Sequence, residues 1–197
     1  MYVLAMSTIE IRPATADRFD DVEHALTGGG DGASCWCQWW MLRNKDWSAA
    51  TSDEKRELLR DDLTRQPAAG LVAYVDDEPA GWVKVMPRTS QTRLAYTKTL
   101  QQSPEPIDDA SVWAVTCFVV RREHRGAGLG RALLDAAVTY ARDNGARVVE
   151  GYPIDTTVKK ASSNALFHGN ASTFRDAGFR EVASPAPGRP IVSLTLG

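Results

Sequence analysis

Apolar residues recur along this chain with two different periods, and together these predict a mixture of strands and helices. Short apolar runs predict strands at 9–12, 71–75, 81–86, 112–120, 148–152, 179–182 and 191–196. Apolar residues three and four positions apart predict helices at 17–26, after Thr51, from Leu129 to Asn144 and at 171–177. The helix after Thr51 opens with a capping box and should end before Pro67. The polar stretch 88–109 has no period and predicts a loop, with a short helix near 93–100.

The segment from Val112 to Asn144 predicts a strand, a glycine-rich turn and a helix that together suit an anion. Glycines at 126, 128 and 130 leave the backbone open, and the arginines nearby are Arg121, Arg122, Arg125 and Arg131. The first amides of a helix have no partner within the helix, and its dipole adds about half a positive charge there. The segment therefore predicts a site for phosphate or pyrophosphate. The alternative is a glycine-rich turn that only joins a strand to a helix.

Two common phosphate motifs do not fit this turn. A P-loop is excluded because no Gly-Lys-Ser or Gly-Lys-Thr follows the glycines. A dinucleotide fingerprint requires a third glycine where Arg131 stands, although Glu150 ends the next strand near the place of its ribose-binding acid. Too few residues follow the turn to complete a doubly wound sheet, so a dinucleotide site remains only a distant alternative.

Composition limits the remaining possibilities. The chain has 197 residues, enough for one substantial core, and its net charge of −2 gives no reason to expect nucleic-acid binding. No run of about 18 apolar residues predicts a membrane span. The start, 1–6, is too short for a signal peptide and lacks basic residues. With three cysteines, an odd number, these features predict a protein of the reducing cytoplasm.

The run Arg125-Gly126-Ala127-Gly128-Leu129-Gly130 resembles the (Gln/Arg)-x-x-Gly-x-(Gly/Ala) signature of the GNAT acetyltransferase superfamily. The preceding Phe118–Val120 and the downstream Ala177-Gly178-Phe179 are similar to that family as well, and the resemblance is clear over 111–183. It implies an α/β fold of the α+β type, with 1–197 as a single domain. The implied sheet is mixed, mostly antiparallel, of about seven strands, with helices on both faces.

The resemblance also implies an activity, N-acetyltransfer. An acetyl or other acyl group would pass from acyl-coenzyme A to an amine of a small molecule or peptide, directly, in a ternary complex and without a metal. Segment 111–144 would bind acetyl-coenzyme A. The residues that the resemblance assigns to it are Phe118, Val119, Val120, Arg125, Gly126, Ala127, Gly128, Leu129, Gly130 and Arg131.

The chain departs from the family where its acid is expected. A tyrosine often stands four residues before the glycine of the Gly-Phe pair, and here that position is Phe174. The candidates for catalytic groups are Glu150, His168 and Ser172, with Asp109 as a second carboxylate. Each has a plain alternative as an ion-pair partner or an exposed loop residue. The missing tyrosine keeps open a second class of function, a non-catalytic sensor or scaffold that binds acyl-coenzyme A.

Segment 27–50 is rich in tryptophan and corresponds to the acceptor side in the family. Trp36, Trp39 and Trp40 are candidates for substrate binding, and with Arg43 and Trp47 they follow helical spacing on one face. An aromatic wall suits an apolar, planar or cationic substrate. Core packing or a homodimer contact is the alternative. The Cys35-x-Cys37 pair lacks a second pair at matching spacing, so no metal site is expected.

Overall fold

The computed structural model describes residues 7–158, 160–162 and 165–197. Residues 1–6, on which the expectation about a signal peptide depends, lie outside this range. The described strands form one sheet in the order β1-β2-β3-β4-β5-β7-β6. Their bounds are β1 Ile9–Pro13, β2 Gly70–Val75, β3 Glu78–Pro87, β4 Val112–Val120, β5 Val148–Gly151, β6 Arg180–Ala186 and β7 Arg189–Thr195. Only β4 and β5 pair in parallel, which confirms a mixed, mostly antiparallel sheet of seven strands.

Helices cover both faces of this sheet, as predicted. Their bounds are α1 Phe19–Thr27, α2 Gly32–Cys35, α3 Asn44–Ala49, α4 Ser52–Asp62, α5 Leu129–Asp143 and α6 Ala171–Asp176. The buried face of α5, including Leu133 and Ala137, packs against β2, β3 and β4 because its apolar residues recur at helical spacing. On the other face, Val22 and Leu26 of α1 pack in a second core cluster with Trp82. The capping box at Thr51 and Glu54 starts α4 as expected.

The central strands separate halfway along β4. Val112–Val115 pairs with Val148–Gly151, after which β5 ends and β4 continues to Val120 beside β3 alone. A bulge at Thr116 shifts the register of β4 against β3, so that Lys84 faces Cys117 while Val85 faces Val115. The far half of β4 therefore has an open side where another chain or ligand can pair.

The edge of the sheet extends further than the sequence indicates. The prediction for β6 stopped at 182, whereas the strand runs to Ala186 and joins β7 through a tight turn at Gly188, which has φ of 68°. The sequence did not predict this extension because it contains Pro185, and proline is uncommon in strands. It is tolerated here because β6 is the edge strand and needs no amide donor on its outer side.

The tryptophan segment does not form one helix, so the expected stripe on a single face is wrong. Helix α2 ends at Cys35, and the next two residues, Trp36 and Cys37, have left-handed backbones with φ of 48° and 52°. Tertiary hydrogen bonds hold this turn: the Trp36 indole donates to the Ser52 hydroxyl at 2.9 Å, and the Trp82 indole donates to the Cys37 sulfur at 2.9 Å. Contacts to distant residues thus override the local helical period.

The predicted loop 88–109 is held by one buried arginine. The Arg88 guanidinium pairs with the Glu150 carboxylate at 2.8 Å and donates to Ser103 Oγ at 3.0 Å. It also donates to the carbonyls of Glu105 and Pro106. Short 3₁₀ turns occur within the loop, one of them at Leu94–Tyr96, inside the range where a short helix was predicted. A long irregular loop thus acquires a fixed position on the sheet.

Candidate functional site

A cavity of about 660 Å³ lies beside the open half of β4. Its walls come from four places: the 29–47 segment, the end of β4 with the turn after it, the 3₁₀ turn Ala165–His168 and the start of α6. Aromatic side chains dominate the wall: Trp39, Trp40, Trp47, Phe118, Phe167 and Phe174. The cavity therefore joins the predicted anion turn to the predicted acceptor segment in one space.

The glycine-rich turn has the geometry of an anion cradle. Gly126 and Gly128 have φ of 82° and 81°, which side chains rarely adopt. A Cβ atom added at Gly126, Gly128 or Gly130 would meet nothing within 4 Å, so no contact inside the described protein explains the glycine at 130. The amides of 126–130 donate to no acceptor in the described chain, while those of Arg131 and Ala132 donate to the Gly128 carbonyl. The result is a run of free amides at the start of a 15-residue helix.

Three of the four arginines near this turn make contacts that distinguish them. Arg121 donates to the His24 carbonyl at 2.6 Å and pairs with Glu123, and Arg131 pairs with Asp135 on the surface. Arg125 donates to the Val120 carbonyl at 3.0 Å and lines the cavity. The glycine loop after α1 packs closely on Arg121, since a Cβ at Gly28 would come within 2.3 Å of the Arg121 side chain. Arg125 is therefore the arginine that faces the cavity most directly.

The residues predicted to hold the cofactor divide into two groups. Phe118, Val119, Val120, Arg125 and Gly130 line the cavity. Gly126, Ala127, Gly128, Leu129 and Arg131 form the exposed turn and the first helical residues, where the Leu129 side chain is 2% exposed and packs into the core. For this second group, the backbone is what the turn presents to a ligand.

The three tryptophans predicted to bind the acceptor are not equivalent. Trp39 and Trp40 line the cavity, and Trp47 joins them. Trp36 instead packs in the core cluster of α1 and α4 and is not among the residues that line the cavity. The Trp40 indole donates to the carbonyl of Thr116 at 3.1 Å, which is the bulged residue of β4. Trp40 therefore couples the aromatic wall of the cavity to the bulge of β4.

Buried polar groups from the long loop also fix this bulge. The Gln91 amide donates to the Ala114 carbonyl at 3.1 Å, and the Thr116 hydroxyl donates to Gln91 Oε1 at 2.7 Å. Gln91 is fully buried and Thr116 nearly so. The shape of β4 at the cavity therefore depends on residues 25 positions away in the chain.

His168 is the catalytic candidate that reaches the cavity. Its ring packs 3.9 Å from that of Phe167 and edge-on to Trp40, and its Nδ1 has no hydrogen-bond partner and no solvent contact. Burial, with a smaller contribution from Arg189, lowers the pKa of His168 to about 3. The imidazole is therefore neutral at physiological pH and offers a hydrogen-bonding nitrogen in an aromatic wall.

The other catalytic candidates lie outside the cavity wall. Glu150 is fully buried and is bound by Arg88, by the Ser103 hydroxyl at 2.5 Å and by the Tyr152 hydroxyl at 2.8 Å. This is the structural ion-pair role that the sequence left open. Ser172 is exposed in the first turn of α6, and Asp109 pairs with Arg147 on the surface. None of these three lines the cavity.

The position of the missing tyrosine is filled by a tightly packed ring. Phe174 is fully buried and meets Phe118 and Phe179 edge-on at 5.9 and 5.0 Å between ring centroids. A Cβ added at Gly151 or Gly169 would come within 2.3 or 2.7 Å of this ring. The ring is therefore clamped between two glycines, and it offers the cavity no proton donor.

All three cysteines also line the cavity, which the sequence did not indicate. Cys37 Sγ lies 2.7 Å from Cys117 Sγ, and both thiols are buried. Burial acts to raise the pKa of Cys37, but Cys117, the Lys84 ammonium and the Trp82 indole together lower it below its ordinary value. Burial raises the pKa of Cys35 to about 11. The one group of three close metal-type ligands among the described residues is Glu78, Glu123 and His124, and none of these lines the cavity.

Asp31 is a second residue that sequence reasoning missed. It is exposed and lies on the cavity wall just after the glycine loop. Together with Arg125 it supplies the formal charge of the wall among the described residues. Only its position beside a glycine-rich loop signalled a role.

The acetyltransferase (GNAT) family model matches residues 36–167, more than half of the chain, and the chain belongs to this family. Solved structures share the fold over nearly the whole length. PaiA N-acetyltransferase from Thermoplasma acidophilum, in complex with coenzyme A, is 15% identical with a TM-score of 0.55, covering 96% of this chain and 99% of that one. The GNAT domain of S. lividans PAT is 18% identical with a TM-score of 0.54, covering 100% of both. An N-acetyltransferase from Staphylococcus aureus Mu50 is 13% identical with a TM-score of 0.56, covering 97% and 100%. No match is found among curated protein sequences.

Proposed function

We propose that this protein is an N-acetyltransferase that moves an acetyl group from acetyl-coenzyme A directly to an amine in a ternary complex. The observation that carries the proposal is the run of free amides at 126–130, which opens beside an aromatic cavity. Family membership supports acyl transfer in general, and the cavity supports a small acceptor with an apolar part. The acceptor is a small-molecule or peptide amine.

The chain fits coenzyme A along one continuous path. The amides of 126–130 bind the pyrophosphate, which fits because a side chain at Gly130 would occupy the same open space. The unpaired side of β4 at Phe118–Val120 accepts the pantetheine arm as an added strand. When bound, acetyl-coenzyme A supplies an acyl group activated as a thioester.

The acceptor amine reaches the cavity between the tryptophans and His168. The neutral imidazole accepts a hydrogen bond from the amine and orients its lone pair, while the aromatic wall excludes water. Asp31, exposed on the cavity wall, attracts the ammonium form, and its carboxylate accepts the first proton through water, while the second proton, lost from nitrogen after attack, passes to solvent. Phe174 donates no proton, so the thiol of coenzyme A leaves as a thiolate, as its acidity near that of cysteine allows.

A thiol-release assay with acetyl-coenzyme A tests this function. The panel contains a polyamine, amino acids, a short peptide and drug-like amines, with a reaction lacking any amine as the blank. We expect thiol release that depends on both substrates, with intersecting double-reciprocal lines. Parallel lines would contradict direct transfer, since they indicate release of one product before the second substrate binds.

Two observations also favour a second function, a non-catalytic sensor or scaffold that binds acyl-coenzyme A. Phe174 cannot donate a proton, and the buried carboxylate of Glu150 is already bound by Arg88. Calorimetry separates the two functions. Tight binding of coenzyme A without turnover of any amine would favour the sensor.

Among the described residues, no helix is long and apolar enough to cross a membrane. We include a cytoplasmic location in the proposal because the three cysteines are free.

A further inference from the structure

A second cavity of about 780 Å³ adjoins the first. Trp39 and Trp40 line both cavities, so these two rings form the wall between them. The rest of the second cavity comes from the start of α3 and from the loop after β3: Arg43, Asn44, Lys45, Asp46, Arg93, Tyr96 and Thr97. A ligand that passes the edge of the tryptophans could therefore occupy both spaces.

Arg93 is a buried cation without a counter-ion in this second cavity. Only 6% of its surface is exposed, and its Nη2 has neither solvent contact nor a hydrogen-bond partner. Its Nε donates to the Leu42 carbonyl at 2.7 Å, and its guanidinium lies 3.8 Å from the centre of the Trp39 ring. No carboxylate of the described residues forms an ion pair with it.

Among the described residues, the two most deeply buried cations differ from Arg93 because each has a carboxylate partner. Lys84 and Arg88 are fully buried, and each pairs with a buried carboxylate, Asp62 at 3.1 Å and Glu150 at 2.8 Å. A buried charge without such a partner is strongly unfavourable. Burial lowers the pKa of Arg93, as expected for a guanidinium that lacks compensation. The position of Arg93 in a cavity indicates that its missing partner comes from outside the chain.

The surroundings of Arg93 favour an anion. Arg43 and Lys45 line the same cavity and outweigh its one carboxylate, Asp46. Arg43 lies 4.3 Å from the centre of the Tyr96 ring, which holds its charge near the cavity. A guanidinium donates two parallel hydrogen bonds to a carboxylate, and stacking on an aromatic ring fixes its plane for that purpose.

We infer that Arg93 binds the carboxylate of the acceptor, and that the acceptor is therefore an amine that also carries a carboxylate, with an apolar part between the two groups. The carboxylate lies in the second cavity, the apolar part passes Trp39 and Trp40, and the amine enters the first cavity beside His168. An ω-amino acid whose amine and carboxylate are joined by an aromatic or aliphatic spacer has this chemistry. The assignment to the acceptor rests on the proposed acetyltransferase function, whereas the anion site itself does not.

Binding to the wild-type protein tests the anion site without any turnover. The probes are 3-phenylpropionate and its neutral isostere 3-phenylpropionamide, titrated by calorimetry in the absence of coenzyme A. We expect the carboxylate to bind at least about tenfold more tightly, the scale of a hydrogen-bonded charge pair. Equal affinity for the acid and the amide would overturn the anion site, and this result requires no variant to fold.

Two variants identify the arginine that is responsible for the preference for the acid over the amide. Arg93→Gln should bind the acid and the amide equally, because it removes the buried charge while keeping a polar side chain. Arg43→Gln is the matched control, since it removes an exposed cation from the same cavity and should keep most of the preference. Loss of the preference in Arg43→Gln alone would assign the anion to the wrong arginine and overturn the inference.

Activity on a matched pair of amines tests whether the anion belongs to the acceptor. 4-(Aminomethyl)phenylacetate and 4-methylbenzylamine differ only by the carboxylate, and we expect kcat/KM to be at least about tenfold higher for 4-(aminomethyl)phenylacetate in the wild type and equal in Arg93→Gln. Turnover of both amines at equal rates would refute the acceptor assignment. Absence of turnover with every amine, together with selective binding of 3-phenylpropionate, would refute the acetyltransferase proposal and leave an anion site.

Discussion

The two halves of the cavity are built from different parts of the chain. The half proposed to bind the cofactor is one continuous piece, β4, the turn and α5, and it exposes backbone amides. The half proposed to bind the acceptor includes the adjoining second cavity, and it is assembled from side chains that lie far apart in sequence, such as Trp40, Arg93 and His168. A site made of backbone tolerates changes of side chain provided the glycines remain. A site made of side chains depends on each residue and on the contacts that hold it.

This difference suggests that the two halves can be damaged separately. The acceptor half depends on loop 88–109, which one buried ion pair fixes to β5. The cofactor half depends on the open space above Gly130. Substitutions chosen for each half should therefore change binding of one substrate much more than binding of the other.

The largest expected effect comes from Glu150→Gln. Removing this carboxylate leaves Arg88 buried without a counter-ion, and we expect a loss of about 3–5 kcal/mol in the free energy of unfolding. Because Arg88 fixes the loop that carries Arg93, KM for the acceptor should rise while Kd for coenzyme A changes little. Urea denaturation and steady-state kinetics measure the two effects.

The matched control for that substitution is Glu105→Gln. Glu105 pairs with Arg147 near the surface, so the same chemical change should cost less than about 1 kcal/mol. If Glu150 were instead the general base, Glu150→Gln would lower kcat strongly while KM for the acceptor and Kd for coenzyme A changed little. That result would contradict the division between the two halves.

The second effect in size is expected for Gly130→Asp, in the cofactor half. The new carboxylate would stand in the open cradle at the helix start and repel pyrophosphate, so Kd for coenzyme A should rise by about 100-fold. The fold should persist, since a Cβ at this position meets no atom within 4 Å. Thr139→Asp adds the same charge on an exposed face of the same helix and should leave Kd unchanged. Equal affinities of the two variants would place the pyrophosphate elsewhere.

A smaller effect is expected where the two halves meet, at Trp40. Trp40→Phe leaves the buried Thr116 carbonyl without its indole donor and should lower the free energy of unfolding by about 1–3 kcal/mol. The bulge should relax, so both Kd for coenzyme A and KM for the acceptor should rise. Trp39→Phe removes the same atoms without removing a described hydrogen bond and serves as the control. Similar losses in both variants would show that ring size, and not the hydrogen bond, holds the bulge.

The effect that is smallest at neutral pH concerns His168. Its pKa is about 3 in the folded chain and 6.5 as an ordinary histidine, so between these values the unfolded chain binds a proton that the folded chain does not. The free energy of unfolding should therefore fall as pH falls from 6.5, by up to about 1.4 kcal/mol per pH unit. His168→Gln should flatten this slope, and the exposed His24→Gln should keep it. Urea denaturation at pH 7.5, 6.5, 5.5 and 4.5 compares the slopes, and identical slopes in the three proteins would contradict a buried neutral His168.

The sequence predicted the strand, the turn and the helix of the proposed cofactor half well, because the information for these elements is local. The glycines, the helical period of α5 and the apolar run of β4 act on their own neighbours, and the structure has these elements where they were expected. The acceptor half was predicted only in outline. Trp36 was predicted as a candidate for substrate binding beside Trp39 and Trp40, because helical spacing suggested one face. The hydrogen bonds from Trp36 to Ser52 and from Trp82 to Cys37 instead hold a left-handed turn in place of that helix.

Ion pairs between residues that are distant in the chain could not be predicted from the sequence either. Glu150 looked like a general base because a carboxylate ends β5, and no local pattern announced that Arg88, 62 residues earlier, would bind it. Arg93 lay in a stretch without any period, so nothing marked it as buried. Residues that act through long-range contacts are the ones that a one-dimensional pattern cannot place.

The two glycines that clamp Phe174 have a consequence for natural variation in this family. Gly151 and Gly169 each come too close to this ring to carry a methyl group, so the three positions share one fixed volume. Sequences that replace either glycine with alanine should carry a smaller residue in place of the phenylalanine, and those that keep an aromatic ring should keep both glycines. Residues at these three positions, which are far apart in the chain, should therefore covary. Such covariation would indicate how much space the separated strands leave between them.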